Sequence, residues 1–147
     1  MTLAINFFTE RINFKLKQKR IIKGWINYIA NSEGKKVGEL SFVFSSDEYL
    51  LKINKQYLNH DTYTDIVTFP YNEFDIIKGD IFISIDRVKF NAPLYSNSFQ
   101  SELYRVIVHG ILHLVGYSDK DSKLQNIMRS KEDYYLQVLY SQFLLKA

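Results

Sequence analysis

The sequence predicts an α+β fold, a small four-stranded mixed sheet packed with about five helices. Three observations carry this. Short apolar stretches with strand character crowd the chain before Ile85. Helix-period stretches dominate the remainder of the chain. No internal repeat and no Pro/Gly-rich linker divides the sequence, which has two prolines and six glycines. A chain of 147 residues suits one domain with a core of its own. With 46% hydrophobic and 24% charged residues, disorder and collagen-like or coiled-coil architectures are excluded.

Each element has a local reason. Ala4 to Phe8 is apolar and reads as a first strand. From about Phe14 to Asn31 a helix is expected, with Ile22, Trp25, Ile26 and Ile29 on one face and Lys15, Lys19 and Lys23 on another. Glu33-Gly34 ends it. Leu40, Phe42 and Phe44 alternate with Ser41, Val43 and Ser45 as a second strand. Ser45-Ser46-Asp47-Glu48 has the form of a capping box, so a helix starts there and runs to about Leu58. Asn59-His60-Asp61 is a turn. Thr64 to Phe69 is a third strand, stopped by Pro70, and Gly79 to Ile85 a fourth. Asp86 is the expected cap of a short helix interrupted by Pro93. Ser98 caps a longer helix to Val115, and a last helix runs from Ser122 to Leu145.

Composition narrows the chemistry. There is no cysteine, so disulfides, cysteine-ligated metals and thiol catalysis are excluded. No apolar run approaches the ~20 residues of a membrane span. Met1 to Glu10 lacks a basic segment ahead of an apolar one, so a cytoplasmic protein is expected. Net charge is +3, but residues 1–40 carry eight basic and three acidic groups. That excess reads first as a solvated helix face, and as a contact for a polyanion in the functional alternative.

The chemistry concentrates in Val108-His109-Gly110-Ile111-Leu112-His113, inside the longer late helix. Histidines four apart project from one face with Cβ atoms about 5–6 Å apart, so both imidazoles can reach one metal ion. Gly116 comes next, then Asp119, giving His-x-x-x-His-x-x-Gly-x-x-Asp. A glycine there can take φ > 0 and turn the chain back, which places Asp119 as third ligand. Three protein ligands leave a position open for water, whose pKa a divalent ion lowers toward ~7. Asp121 is the competing third ligand, and an N-cap of the last helix is its preferred reading. Zinc peptidases carry His-Glu-x-x-His with Glu as base. Gly110 stands at that position, which weighs against proteolysis. Two histidines and one carboxylate also describe the non-haem iron triad.

At these residues the sequence resembles the YbeY family, whose hallmark is His-Gly-x-Leu-His-Leu-x-Gly-Tyr-Asp-His. The chain has His109-Gly110-Ile111-Leu112-His113-Leu114-Val115-Gly116-Tyr117-Ser118-Asp119. Ile53-Asn54, Thr64 to Pro70 and Gly79 to Ser84 match two further family stretches in order. The resemblance implies a zincin-like metal-binding helix and a zinc-dependent, single-strand-specific endoribonuclease. It would act in maturation of the 16S rRNA 3′ end and in ribosome quality control. Its implied partners are single-stranded rRNA and the small ribosomal subunit or its assembly factors. Asp119 replaces the family's third ligand histidine, a harder and anionic donor. Leu58 replaces a family arginine held to assist RNA cleavage, and leucine cannot stabilise a phosphoryl transition state. His60 or Lys55 would have to compensate. A non-catalytic ribosome-assembly factor with a structural metal is therefore the alternative.

Other residues read more plainly. His60 is expected at the surface, with a substrate contact as its functional alternative. Asp65 and Asp80 close turns or cap amides. Glu102 and Arg105 form a surface ion pair, or Glu102 steadies a ligating histidine. Lys15, Lys19 and Lys23 are the candidate phosphate contacts. Tyr117, beside the ligand loop, is the aromatic placed to stack on a base.

Overall fold

The computed structural model describes residues 4–144. Four strands, β1 (Ile5–Glu10), β2 (Lys36–Ser45), β3 (Ile66–Pro70) and β4 (Ile76–Ser84), form one sheet in the order β1-β2-β4-β3. β1, β2 and β4 run parallel, and β3 is antiparallel to β4, so the sheet is mixed as expected. Five helices accompany it: α1 (Lys19–Ser32), α2 (Asp47–Leu58), α3 (Ile85–Leu94), α4 (Phe99–Val115) and α5 (Ser122–Val138). A π-helical segment, Leu139–Leu144, continues α5. The expected end of that helix at Leu145 lies outside the described residues.

Strand alternation sorts the two faces of the sheet. Leu40, Phe42 and Phe44 of β2 and Ile77, Ile81 and Ile83 of β4 are fully buried. They meet the apolar stripes of α1 (Ile22, Trp25, Ile26, Ile29) and α4 (Leu103, Ile107, Ile111, Leu114) in one core. Trp25 packs edge-on against Tyr104, and its indole N–H donates to the carbonyl of Tyr135 on α5, 2.9 Å away. A buried indole N–H needs such a partner. On the other face, Phe82 of β4 meets Tyr49 of α2.

Several boundaries differ from the sequence expectation, among them β2, which begins at Lys36 and not at Leu40, and β1, which ends at Glu10 and not at Phe8. α1 begins at Lys19 and not near Phe14, because Gln18 takes a left-handed conformation (φ 58°). Residues 14–17 alternate apolar and basic with period 2. Phe14 packs on Phe44 and Phe99 and Leu16 is buried, so these side chains join the core from a loop. Lys15 consequently leaves the helical face, and only Lys19 and Lys23 share it. α3 is capped by Ser84, whose hydroxyl accepts from Arg87 N–H at 3.0 Å. Asp86 instead accepts from the Asp47 N–H. Pro93 sits inside the last turn of α3. β3 starts at Ile66 and not at Thr64, while β4 starts at Ile76, three residues before Gly79, because the Glu73–Ile76 bridge tightens the preceding turn.

α4 lies unusually close to the sheet at Gly110. A Cβ there would stand 2.9 Å from Ile66 Cδ1 and 3.3 Å from Ile81 Cγ2. Any larger side chain there displaces the Ile66 and Ile81 side chains from their packing on β3 and β4. Gly110→Val should therefore cost about 1–3 kcal/mol of stability by overpacking. Urea unfolding followed by circular dichroism checks this, and an unchanged midpoint would refute the close approach.

Candidate metal centre

The geometry of the site starts with the ends of α4. Ser98 caps its first turn, accepting from Ser101 N–H at 3.1 Å. The apolar stripe then fixes the rotation of the helix on the sheet, leaving His109 and His113 half-buried at its edge. Gly116 stops the helix at φ 125°, a conformation that strains any L side chain. Its N–H and that of Tyr117 return to the carbonyl of Leu112. The chain then doubles back and delivers Asp119.

Three donor atoms converge. His109 Nε2 lies 3.1 Å from His113 Nε2, and Asp119 Oδ2 lies 3.4 Å and 3.5 Å from the two nitrogens. Tetrahedral bonds of about 2.0–2.1 Å separate donor atoms by about 3.3 Å, so this triangle fits one divalent ion. Asp121 stands apart as the N-cap of α5, accepting from Leu124 N–H at 2.8 Å. Asp121 thus takes the cap role expected of it, and Asp119 is the acid that stands with the two imidazoles.

His109 is oriented from behind. Its Nδ1 lies 2.6 Å from Oε2 of the buried Glu132 on α5. An ionised carboxylate only accepts, so Nδ1 carries the proton and Nε2 turns its lone pair to the ion site. Glu132 Oε1 accepts from Arg105, whose second nitrogen reaches Asp133. Burial would lower the His109 pKa, but the bond and charge of Glu132, with Asp119 and Asp65, raise it above the usual value. Burial, helped by the charge on His109, lowers His113. Asp65 lies on the same wall, and burial raises its carboxyl above the ordinary range.

The ion site opens on a cleft of about 360 Å³ whose walls include Asp65, Glu102, Arg105, Asp119, Arg129 and Glu132. The expected Glu102–Arg105 pair does not form. Glu102 is buried and accepts from Asn97, while Arg105 serves Glu132. The carboxylate that holds His109 is therefore Glu132, which sequence reasoning does not single out. Its signal was an acid on the buried stripe of α5, four before Leu136 and four after Met128. Glu102 gave the same signal four residues before Val106.

The remaining candidates lie elsewhere. His60 is exposed just past α2, its backbone N–H bonded to Asn54 O, and Lys55 pairs with Asp61 at 3.3 Å. Neither lines the cleft, and neither does Leu58. Lys15 and Lys19 are exposed near the start of α1, and Lys23 stands over the Phe7 ring. Tyr117 is half-buried. Its hydroxyl donates to Glu33 Oε1 at 2.7 Å, and Lys131 stands over its ring.

The family described as "Endoribonuclease YbeY" matches residues 4–140. The chain belongs to the YbeY family. It is 50% identical over 131 residues to an endoribonuclease YbeY of Cytophaga hutchinsonii, covering 88% of this chain and 92% of that protein. It is 44% identical over 137 residues to one from Parabacteroides distasonis, covering 93% and 96%. Among solved structures, the solution structure of TM1509 from Thermotoga maritima superposes with a TM-score of 0.68 at 27% identity. That match covers 97% of this chain and 93% of the other.

Glu33, at the C-terminus of α1, anchors the YbeY ligand loop. Tyr117, Tyr135 and Lys131 all donate to its carboxylate. Burial alone would raise its pKa, but these three hydrogen bonds and the Lys131 charge hold it below the usual range. The unfolded chain then binds the proton more tightly than the folded one. The associated stability is complete above the ordinary carboxyl pKa and is lost as pH falls through the lowered folded value. Glu33→Gln should flatten the loss of stability below about pH 4.5. Thermal unfolding from pH 7 to 3 tests this, and identical slopes for variant and parent would contradict it. Glu132→Gln should weaken divalent-metal affinity about 10–100-fold with the fold retained. Competition with a chromogenic chelator measures it, and equal affinity would mean that Glu132 does not orient His109.

Proposed function

We propose that this YbeY protein is a metal-dependent, single-strand-specific endoribonuclease, a single domain acting in the cytoplasm on rRNA of the small ribosomal subunit. The observation that carries this reading is the donor triangle of His109, His113 and Asp119, with His109 and Asp119 on the wall of an open cleft, in a chain of this family. Zinc is the expected ion, since two imidazoles and one carboxylate suit it. Held there, it supplies Lewis acidity toward a phosphoryl oxygen and an attacking water.

The chain's own groups do the rest. Glu132 keeps the His109 Nδ1 proton in place, so its Nε2 stays a donor to metal. His113, lowered in pKa, is neutral at physiological pH and offers its nitrogen without first losing a proton. Asp119 is exposed and brings one negative charge, which favours a harder ion than three histidines would. The basic stretch holding Lys15, Lys19 and Lys23 supplies sequence-independent attraction for RNA phosphates, and Tyr117 lies beside the ligand loop as a base contact. No helix among the described residues is long and apolar enough to cross a membrane.

A second reading, a ribosome-assembly factor whose metal is structural, is favoured by Leu58. That position carries no cation and lies off the cleft. Cleavage of small-subunit rRNA fragments separates the two. Protein purified without added metal should carry about one zinc per chain by elemental analysis. Its cleavage should be abolished by chelator and by His113→Ala, with RNA binding retained. Binding without any cleavage by the metal-loaded parent would favour the assembly factor.

A further inference from the structure

α5 presents one face to the ion site, and its residues divide by what they touch. Gln125 donates to the Asp119 carbonyl at 3.0 Å. Glu132, seven residues on, holds His109. Arg129 lies between them, four after Gln125 and three before Glu132, on the same helical face and on the wall of the same cleft. The helix is thus pinned to both a loop ligand and a helix ligand, with Arg129 bracketed by the pins.

Two permanent cations line the cleft, and their states differ. Arg105 is half-buried and fully engaged, one nitrogen on Glu132 and another on Asp133. Arg129 is exposed and, among the described residues, has no hydrogen bond, ion pair or ring contact. A guanidinium left without a carboxylate, in a cleft walled by Asp65, Glu102, Asp119 and Glu132, is not explained by the stability of the fold. Its planar fork matches the two non-bridging oxygens of a phosphodiester. Among the cleft residues no other side chain offers a free permanent charge to such a group.

We propose that Arg129 is the phosphate-contacting residue of the site: it takes the non-bridging oxygens of the RNA phosphodiester that lies against His109, His113 and Asp119. This rests on the reading of the site as an RNA-cleaving metal centre. It assigns the cation that position 58 lacks to a different element, reached across the cleft from α4.

The test compares zinc-loaded parent, Arg129→Ala, Arg129→Lys and the control Lys123→Ala, an exposed position on α5 outside the cleft. A fluorescent single-stranded oligoribonucleotide is followed by anisotropy across a salt series, read before turnover, and then by cleavage. Arg129→Ala should make the slope of log affinity against log salt shallower by about 0.7, one phosphate contact on a single strand. Its cleavage rate should fall roughly a hundredfold, with zinc content and melting temperature equal to the parent. Arg129→Lys should restore the slope but only part of the rate, since a point charge replaces a fork. Added guanidinium should partly rescue Arg129→Ala. Equal salt slopes for Arg129→Ala and parent, or an equal loss in Lys123→Ala, would overturn the assignment. Absence of cleavage by the parent would defeat the nuclease reading alone, because the salt slopes still decide the phosphate contact.

Discussion

A buried carboxylate needs partners that replace its lost water, and Glu132 has two. The Arg105 guanidinium takes one oxygen and the His109 ring N–H the other. This single group fixes the tautomer of a ligand, the rotation of its ring and the docking of α5 against α4. The site depends on it although it could not itself touch an ion from there, because an imidazole free to flip can offer the wrong nitrogen. The chain of contacts from Asp133 through Arg105 and Glu132 to His109 is also why α5, which contributes no ligand, belongs to the centre.

Two glycines shape the helix that carries the histidines, for different reasons. Gly110 is a packing residue, since its missing side chain lets α4 settle on Ile66 and Ile81. Gly116 is a conformational residue, with open space around it and a φ that only glycine takes without strain. The first sets how deep the helix sits, and the second sets where the chain goes after it. The place a zinc peptidase gives to its glutamate is thus crowded by the Ile66 and Ile81 side chains of the sheet.

The ligand loop is held from the far side as well. Glu33 gathers Tyr117, Tyr135 and Lys131, so the end of α1, the loop and α5 meet at one carboxylate. A loop tied at Tyr117 and braced by Gln125 behind Asp119 is preorganised, and a preorganised ligand loses less entropy when it binds an ion. The electrostatic arrangement obeys the same logic. Acids crowd the inner wall around the histidines, a free guanidinium on α5 lines the same cleft, and basic residues crowd the first part of the chain.

Most of this fold is legible from local pattern. The four strands, the start of α2, the cap at Ser98, the helical histidine pair and the turn at Gly116 are short-range consequences of side-chain size, backbone freedom and period. The departures are local as well: residues 14–17 carry a strand-like alternation at the edge of a helical pattern, and Ser84 outcompetes Asp86 as a cap because Asp47 claims the latter. Distance along the chain hides the rest. Glu132 lies 23 residues from His109 and Glu33 84 residues from Tyr117, and no spacing rule links such pairs. The sequence by itself determined which residues could bind a metal, because two ligands on one helix face and a glycine turn are local geometry. Only the tertiary structure decided which acid backs His109, which arginine is engaged and which is free, because those answers depend on how α5 packs across α4.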